Sequence, residues 1–274
     1  MIDISMSKDV SRIQRVKTME KECKEKMGKR MLLLGAYSME VVECGGALLN
    51  NALHGGVSHA AIAFAGEQMQ QDLKKSAEIL KTSVEFLNMD AGNITASRDE
   101  KVALVKVIRQ FAPEIIITQD TEHCVSDLDP GRRPFMTLVL EAIALAGRHF
   151  AMDELPGLKP SSGATIYYMT PEHPNCVIDI FDVWEQKCAA MDALHAQLLS
   201  FGKMRTDSPE HLARRKAMIP EWDTIDSDLE RGRLVKRKMD ETFYMYPSST
   251  GHCRALFAEP YRREGYFVLK KLMK

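Results

Sequence analysis

Two short segments concentrate the side chains that could do chemistry: Ala36-Tyr37-Ser38-Met39-Glu40 and Asp129-Pro130-Gly131-Arg132. Glu40 and Asp129 offer carboxylates to a metal ion or as a general base, and Arg132 is a permanent cation suited to a carboxylate or phosphate group. Just before the second segment, Thr121-Glu122-His123-Cys124-Val125-Ser126-Asp127-Leu128-Asp129 is dense in donors. A His-Cys pair beside two aspartates is the composition of a zinc site, or of a thiol nucleophile with its base. Against this, neighbours such as His123 and Cys124 usually point apart and no recognised ligand spacing is present, so a surface loop with turn carboxylates is the plainer reading.

Other residues have two readings as well. Cys44, beside Glu43 and just before a helical pattern, is either a thiol of lowered pKa or a buried, inert one. Gly45-Gly46 and Gly55-Gly56 lack phosphate-loop spacing and suit a helix start and a tight turn. His195 falls on an apolar stripe, as a core histidine does, and Asp90 in Leu87-Asn88-Met89-Asp90-Ala91-Gly92-Asn93 suits a turn. His54 and His59 flank a strand and read as structural.

The elements that must position these residues alternate. Met31 to Ala36, Ser58 to Phe64, Val84 to Leu87 and Glu114 to Thr118 are short apolar runs of the kind that form buried parallel strands. Between them, Gly46 to Leu53, Gln68 to Lys81 and Asp99 to Phe111 carry apolar residues at spacings of three and four. That order predicts βαβ units and a parallel sheet whose ligand site lies beyond the carboxyl ends of its strands, where both chemical segments fall. After Phe150 the pattern loosens. Leu155 to Gly163 reads as a loop, Ala164 to Met169 and Cys176 to Phe181 as strands, and Trp184 to Phe201 as one helix with Trp184, Cys188, Met191, His195 and Leu198 on a stripe. Pro209 to Glu241 is charged and predicted helical.

Composition sets the outer bounds. The chain has 274 residues, 45% apolar, with 37 Lys and Arg against 38 Asp and Glu; its net charge of -1 gives no electrostatic reason to expect nucleic acid or an anionic membrane as a partner. Six scattered cysteines (Cys23, Cys44, Cys124, Cys176, Cys188, Cys253) form no disulfide framework and read as reduced thiols. The charged start has no apolar signal-peptide stretch, and no segment approaches ~18 uninterrupted apolar residues, so a cytoplasmic location is expected. The 17 methionines read as core gap-fillers, the alternative being an adaptable binding surface.

The motifs together resemble the PIG-L (LmbE-like) N-deacetylase superfamily. LLLGAYSMEVVECGGALL is similar to its opening strand, G-A-H-P-D-D-x-E and C-G-G helix start. FAPEIIITQD followed by DPGRRPFMTLVLEAIALA resembles its R-P-D-V-V-L-T strand and H-P-D-H-R segment. DIFDVWEQKCAAMDALHAQ and LFAEPYRREG resemble its closing helix and terminal Y-A-E-x-F segment, so the likeness runs from about Lys29 to Tyr266. The resemblance implies a zinc-dependent hydrolase of N-acetylglucosamine-type amides, with two histidines and a carboxylate on the metal, an Asp base and a carbonyl-polarising His. It also places Tyr37 on the first metal His, Ser38 on Pro, Met39 on the base, Glu40 on the ligand Asp, Asp129 on the polarising His, Gly131 on Asp and Arg132 on the last metal His. Met69, Asp72 and Leu80-Lys81 stand on the family's substrate-binding helix motif, without its Arg.

These readings lead to an α/β fold, a Rossmann-like three-layer sandwich with a mostly parallel sheet and helices on both faces. Residues 1–29 are expected to form a charged arm or helix and residues 30–274 a single domain with a helical, charged C-terminal portion. Loss of zinc-dependent N-deacetylase activity is expected, with a Glu40–Arg132 ion pair at the old metal position and no cofactor. Tyr37, Ser38, Met39, Glu40, Asp129 and Arg132 would line a cleft for a sugar-like or other small polar ligand. One alternative is a divergent metal-dependent amide hydrolase holding zinc, with Glu40, His123, Asp127 and Asp129 as its catalytic candidates. Another is a structural or assembly role, and a homo-oligomer is compatible with each. Whether the protein is an enzyme stays open; if it is, a carbon-nitrogen hydrolase of the N-deacetylase type is implied.

Overall fold

The computed structural model describes residues 28–203, 208–251 and 253–266. The expected N-terminal arm lies outside these residues except for Gly28 and Lys29, as does Cys23. A seven-stranded sheet organises the chain: β1 (Arg30–Tyr37), β2 (Val57–Phe64), β3 (Thr82–Phe86), β4 (Ile115–Gln119), β5 (Thr165–Met169), β6 (Cys176–Asp179) and β7 (Ala258–Arg263), in the order β3-β2-β1-β4-β5-β7-β6. The first five run parallel, and β7 lies antiparallel between β5 and β6. Strand order reverses between β1 and β4, which defines the crevice where such sheets bind ligands.

The apolar runs become strands because both faces of the sheet are covered. Along β1, Leu32, Leu34 and Ala36 enter one core while Leu33 enters the other, as the two-residue period of a strand requires. On one face lie α4 (Arg98–Phe111) and α6 (Arg132–Ala146), with Leu104, Ile108, Phe135 and Leu138 buried. On the other lie α1 (Met39–Glu43), α2 (Gly45–Leu53), α3 (Glu67–Ile79), α7 (Trp184–Asp192), α8 (His195–Lys203) and α10 (Asp228–Thr250). Local chemistry fixes the ends: Ser97 forms a capping box with Glu100 at the start of α4. Asp90 makes the expected turn, accepting from the Gly92 amide. The three-layer, mostly parallel α/β architecture is the one the sequence predicts.

Four local expectations are corrected. The donor-rich segment is a short helix, α5 (Thr121–Ser126), because the Asp120 carboxylate caps its first turn by accepting from the Glu122 amide. The predicted helix from Trp184 to Phe201 breaks at Ala193, leaving His195 exposed at the head of α8 while Trp184, Cys188, Met191 and Leu198 stay buried. The charged region holds two helices, α9 (Pro209–Met218) and α10, the latter continuing past Pro247. Finally, Ala258–Arg263 is a strand that no alternation announced, since it contains Pro260 and two arginines.

Two contacts fasten the C-terminal elements. The buried Lys187 ammonium donates to Glu259 Oε1 at 2.7 Å and to the Glu43 carbonyl at 2.7 Å, as well as to the Val42 carbonyl. Glu259 in turn accepts from the amides of Gly46 (2.7 Å) and Ala47 (2.9 Å) at the N-terminus of α2, and from the Tyr261 hydroxyl (2.8 Å). Elsewhere α8 crosses α10 so closely that a Cβ on Gly232 would lie 1.8 Å from the Leu198 carbonyl oxygen, and one on Gly202 1.9 Å from that of Asp228. Lys187→Met, which strands a buried carboxylate, is expected to lower unfolding free energy by about 3–5 kcal/mol in urea melts. Gly232→Ala improves helix propensity yet should lose about 1–3 kcal/mol by the same measurement, because the two backbones must separate.

Candidate functional site

The crevice between β1 and β4 is built around one carboxylate. Glu40, 1% exposed, folds back from α1 so that Oε2 accepts from the Ala36 amide at 2.8 Å and Oε1 from the Tyr37 amide at 3.2 Å. Gln119, at the end of β4, donates its side-chain amide to Oε1 at 2.8 Å. Arg132, the first residue of α6, brings Nη1 to 3.7 Å from the same oxygen. Four donors therefore surround one buried acid. Burial pushes the Glu40 pKa up to about 8, against the pull of Arg132 and of the two backbone amides and with a push from Glu43.

A second layer holds Arg132. Its Nε lies 3.1 Å from Asp127 Oδ2, and its guanidinium sits 5.2 Å from the centroid of the Tyr37 ring. The Tyr37 hydroxyl donates to Asp129 at 2.8 Å, and burial together with that carboxylate pushes the phenol up to about 12. Asp129 also accepts from the Gly131 amide at 2.9 Å, which shapes the turn that starts α6. Behind this layer, the buried Asp120 forms a two-point pair with Arg262 of β7, with Nε 3.1 Å from Oδ2.

Tyr37, Glu40, Asp127, Asp129 and Arg132 are thus brought together, and the Glu40–Arg132 contact read from the sequence is present. Gln119 joins them without having been singled out; its signal was a lone amide at the end of an apolar strand. Ser38 is buried beneath the loop, its carbonyl accepting from the Val41 amide at 3.3 Å. Met39 does not line this crevice with Arg132; with Glu43 it faces a separate cavity of about 780 Å³ beneath α10. His123 also turns away, because on α5 its ring faces Glu172 at 3.0 Å and reaches only to 3.9 Å from Asp127. Its neighbour Cys124 is buried against Gln119, Sγ to Oε1 3.3 Å, and burial pushes its thiol up to about 12, so the pair is no nucleophile with its base. Burial likewise holds the Cys44 thiol well above its usual range.

The zinc implied by the family resemblance does not fit this donor set. Both Glu40 oxygens already accept hydrogen bonds, Tyr37 directs its proton at Asp129, and a guanidinium that keeps its charge stands at the third ligand position. Among the described residues, no three His, Cys, Asp or Glu side chains are grouped to share a metal ion. What the arrangement offers instead is Arg132 Nη2, without a hydrogen bond to another described residue, on a side chain about one-fifth exposed. No helix among the described residues is long and apolar enough to cross a membrane.

No family model matches the sequence. Over 198 residues the chain is 26% identical to the 4-oxalmesaconate hydratase of Pseudomonas putida, a match spanning 62% of this chain and 74% of that protein. Among solved structures it is similar to GalB, the 4-carboxy-2-hydroxymuconate hydratase of Pseudomonas putida, with a TM-score of 0.62 at 20% identity over 89% of this chain and 99% of that one. It is also similar to the N,N'-diacetylchitobiose deacetylase of Pyrococcus horikoshii, with a TM-score of 0.61 at 18% identity over 96% and 94% of the two chains. These solved structures share the α/β fold of this chain. It is the fold that the motif resemblance implies, and a hydratase and a deacetylase of known structure both have it.

One consequence is a characteristic pH dependence. Folded Glu40 keeps its proton to about 8, whereas the unfolded chain releases it near the ordinary glutamate value of 4.5. The folded state therefore binds more protons between those values, and the stability that Glu40 contributes falls as pH rises through that window and levels above it. Urea melts from pH 5 to pH 9 should show Glu40→Gln gaining on the wild type across that range; a constant difference would contradict the assignment.

Proposed function

We propose that this protein has lost zinc-dependent N-deacetylase activity and uses the ancestral crevice to bind a small polar ligand, sugar-like or carboxylate-bearing. The observation that carries the reading is the Arg132 guanidinium beside the fully donor-satisfied Glu40, where the resemblance places the metal. A hydrolase of this type needs a metal-bound water and a base within reach of it. Here Met39 replaces the base, and the cation at position 132 repels a divalent ion. The same guanidinium favours an anionic or hydroxyl-rich partner, and the free edge at Nη2 is where such a group would dock.

The named activities of the similar proteins support a polar ligand of this size. Two are hydratases of carboxylate compounds by name and one is a deacetylase acting on an N-acetylated sugar, so the fold serves both ligand kinds. Against that background the carboxylate version gains most from Arg132.

Two measurements test the proposal. Elemental mass spectrometry on protein purified without chelator or tag metal should find no retained zinc, with no chelator-sensitive release of acetate from N-acetylglucosamine or N,N'-diacetylchitobiose. A thermal-shift screen of those sugars and of small di- and tricarboxylates should yield a stabilising ligand whose effect disappears in Arg132→Ala. Stoichiometric, tightly held zinc would overturn the loss of metal chemistry. A ligand that stabilises Arg132→Ala as well as the wild type would remove the assigned site.

A further inference from the structure

The cavity that takes Met39 away from the crevice has its own chemistry. It lies between the end of β1, the end of β5 and α10, and its volume of about 780 Å³ falls within the range of small-molecule sites. Its walls are apolar and adaptable: Met39, Met169, Met218, Met239, Phe243 and Tyr246 all face it. The last four are also among the large apolar residues left exposed, with Tyr246 at 64%. Four methionines on one wall give a surface that can reshape around an apolar body, and a set of exposed apolar side chains at one opening is what a ligand would cover.

The charged groups around the cavity cancel in pairs, with one exception. Lys236 is paired with Asp240, Lys238 with Glu241, and Glu259 with Lys187. Glu43 remains. Its backbone carbonyl accepts from Lys187 and from the Tyr244 hydroxyl, but among the described residues its carboxylate has no hydrogen bond or ion pair. It is partly buried in the cavity wall, close enough to Glu40 to raise that acid's pKa. A partly buried carboxylate without a partner among the described residues, in an apolar cavity whose other charges are paired, is the place where a cation finds a complementary charge.

The backbone adds an independent mark at the same place. Thr170, which also lines the cavity, has φ +46°, a left-handed conformation that a β-branched side chain adopts only under constraint, and its hydroxyl oxygen is buried without a hydrogen-bond partner among the described residues. Strain and unmet polar groups of this kind concentrate at ligand sites, where surrounding structure holds them.

We propose that this cavity binds an amphipathic amine: an apolar body against the methionine and aromatic wall, and an ammonium group on the Glu43 carboxylate. The site is separate from the Arg132 crevice and takes the opposite charge, so the outcome here and the outcome of the Arg132 screen are read independently. The test uses isothermal titration of the full chain with 4-phenylbutylamine, its neutral counterpart 4-phenylbutan-1-ol and its anionic counterpart 4-phenylbutyrate. The amine should bind saturably, about tenfold or more tighter than the alcohol, with the acid weakest. Glu43→Gln should erase the preference for amine over alcohol while retaining the alcohol's affinity. Met239→Arg, a change at a half-exposed rim position, should abolish binding of both and covers the case in which Glu43→Gln fails to fold. Absence of saturable amine binding, equal affinities for amine and alcohol, or a preference that survives Glu43→Gln overturns the proposal.

Discussion

The buried pair of Lys187 and Glu259 is the constraint on which the rest of the architecture hangs. An ammonium and a carboxylate removed from water are tolerable only when every other valence is satisfied. Here the ammonium also meets two carbonyls at the end of α1, and the carboxylate also meets two amides at the start of α2 and the Tyr261 hydroxyl. The Tyr244 ring stacks over the ammonium, 4.3 Å from its centroid. Four parts of the chain far apart in sequence are thereby held at one point: the turn after β1, α7, α10 and β7. That point lies directly behind the loop that carries Glu40, so the position of the crevice is inherited from it.

Around Glu40 the chain meets the cost of a buried acid with its own donors. A carboxylate at the end of a parallel strand can be stabilised by a metal ion or by protein donors. This loop supplies donors from its own backbone, from Gln119 and from Arg132. The arginine in turn is oriented by Asp127 and by the Tyr37 face, while Tyr37 is oriented by Asp129. Glu40, Gln119, Arg132, Asp127, Tyr37 and Asp129 form one mutually supporting network of ion pairs and hydrogen bonds. Such a network holds the two loops together and leaves the arginine edge facing the crevice.

Much of the framework was legible because buried parallel strands leave a continuous apolar signature. Met31 to Ala36 and Ile115 to Thr118 declare themselves in this way, and the helices between them show their period. The pairing of Glu40 with Arg132 was accessible from motif positions alone. The segment around His123 was read as a surface loop, with His123 and Cys124 pointing apart; they do point apart, but on a short helix that the Asp120 cap starts. Met39 was assigned to the crevice by its place in the motif, yet a one-turn helix carries it around to the opposite side. Strand β7 was hidden because its stabilisation is tertiary: the counter-ion of Arg262 is Asp120, 142 residues earlier in the chain, just after β4. Nothing local to Ala258–Arg263 reports that partner.

The order β5-β7-β6 also bears on how the protein is made. The strand encoded last is inserted between two encoded about ninety residues earlier. Until Ala258–Arg263 leaves the ribosome, β6 has no hydrogen-bonded neighbour, β5 presents an open edge, and Lys187 has no carboxylate to meet. Synthesis proceeds from the N-terminus at about 5–20 residues per second. The nascent chain therefore spends several seconds with a nearly complete parallel core and an unprotected sheet edge. An edge of that kind templates pairing with other chains. The closing strand thus moves that edge from β5 to the four-residue β6, and a short edge recruits neighbours poorly.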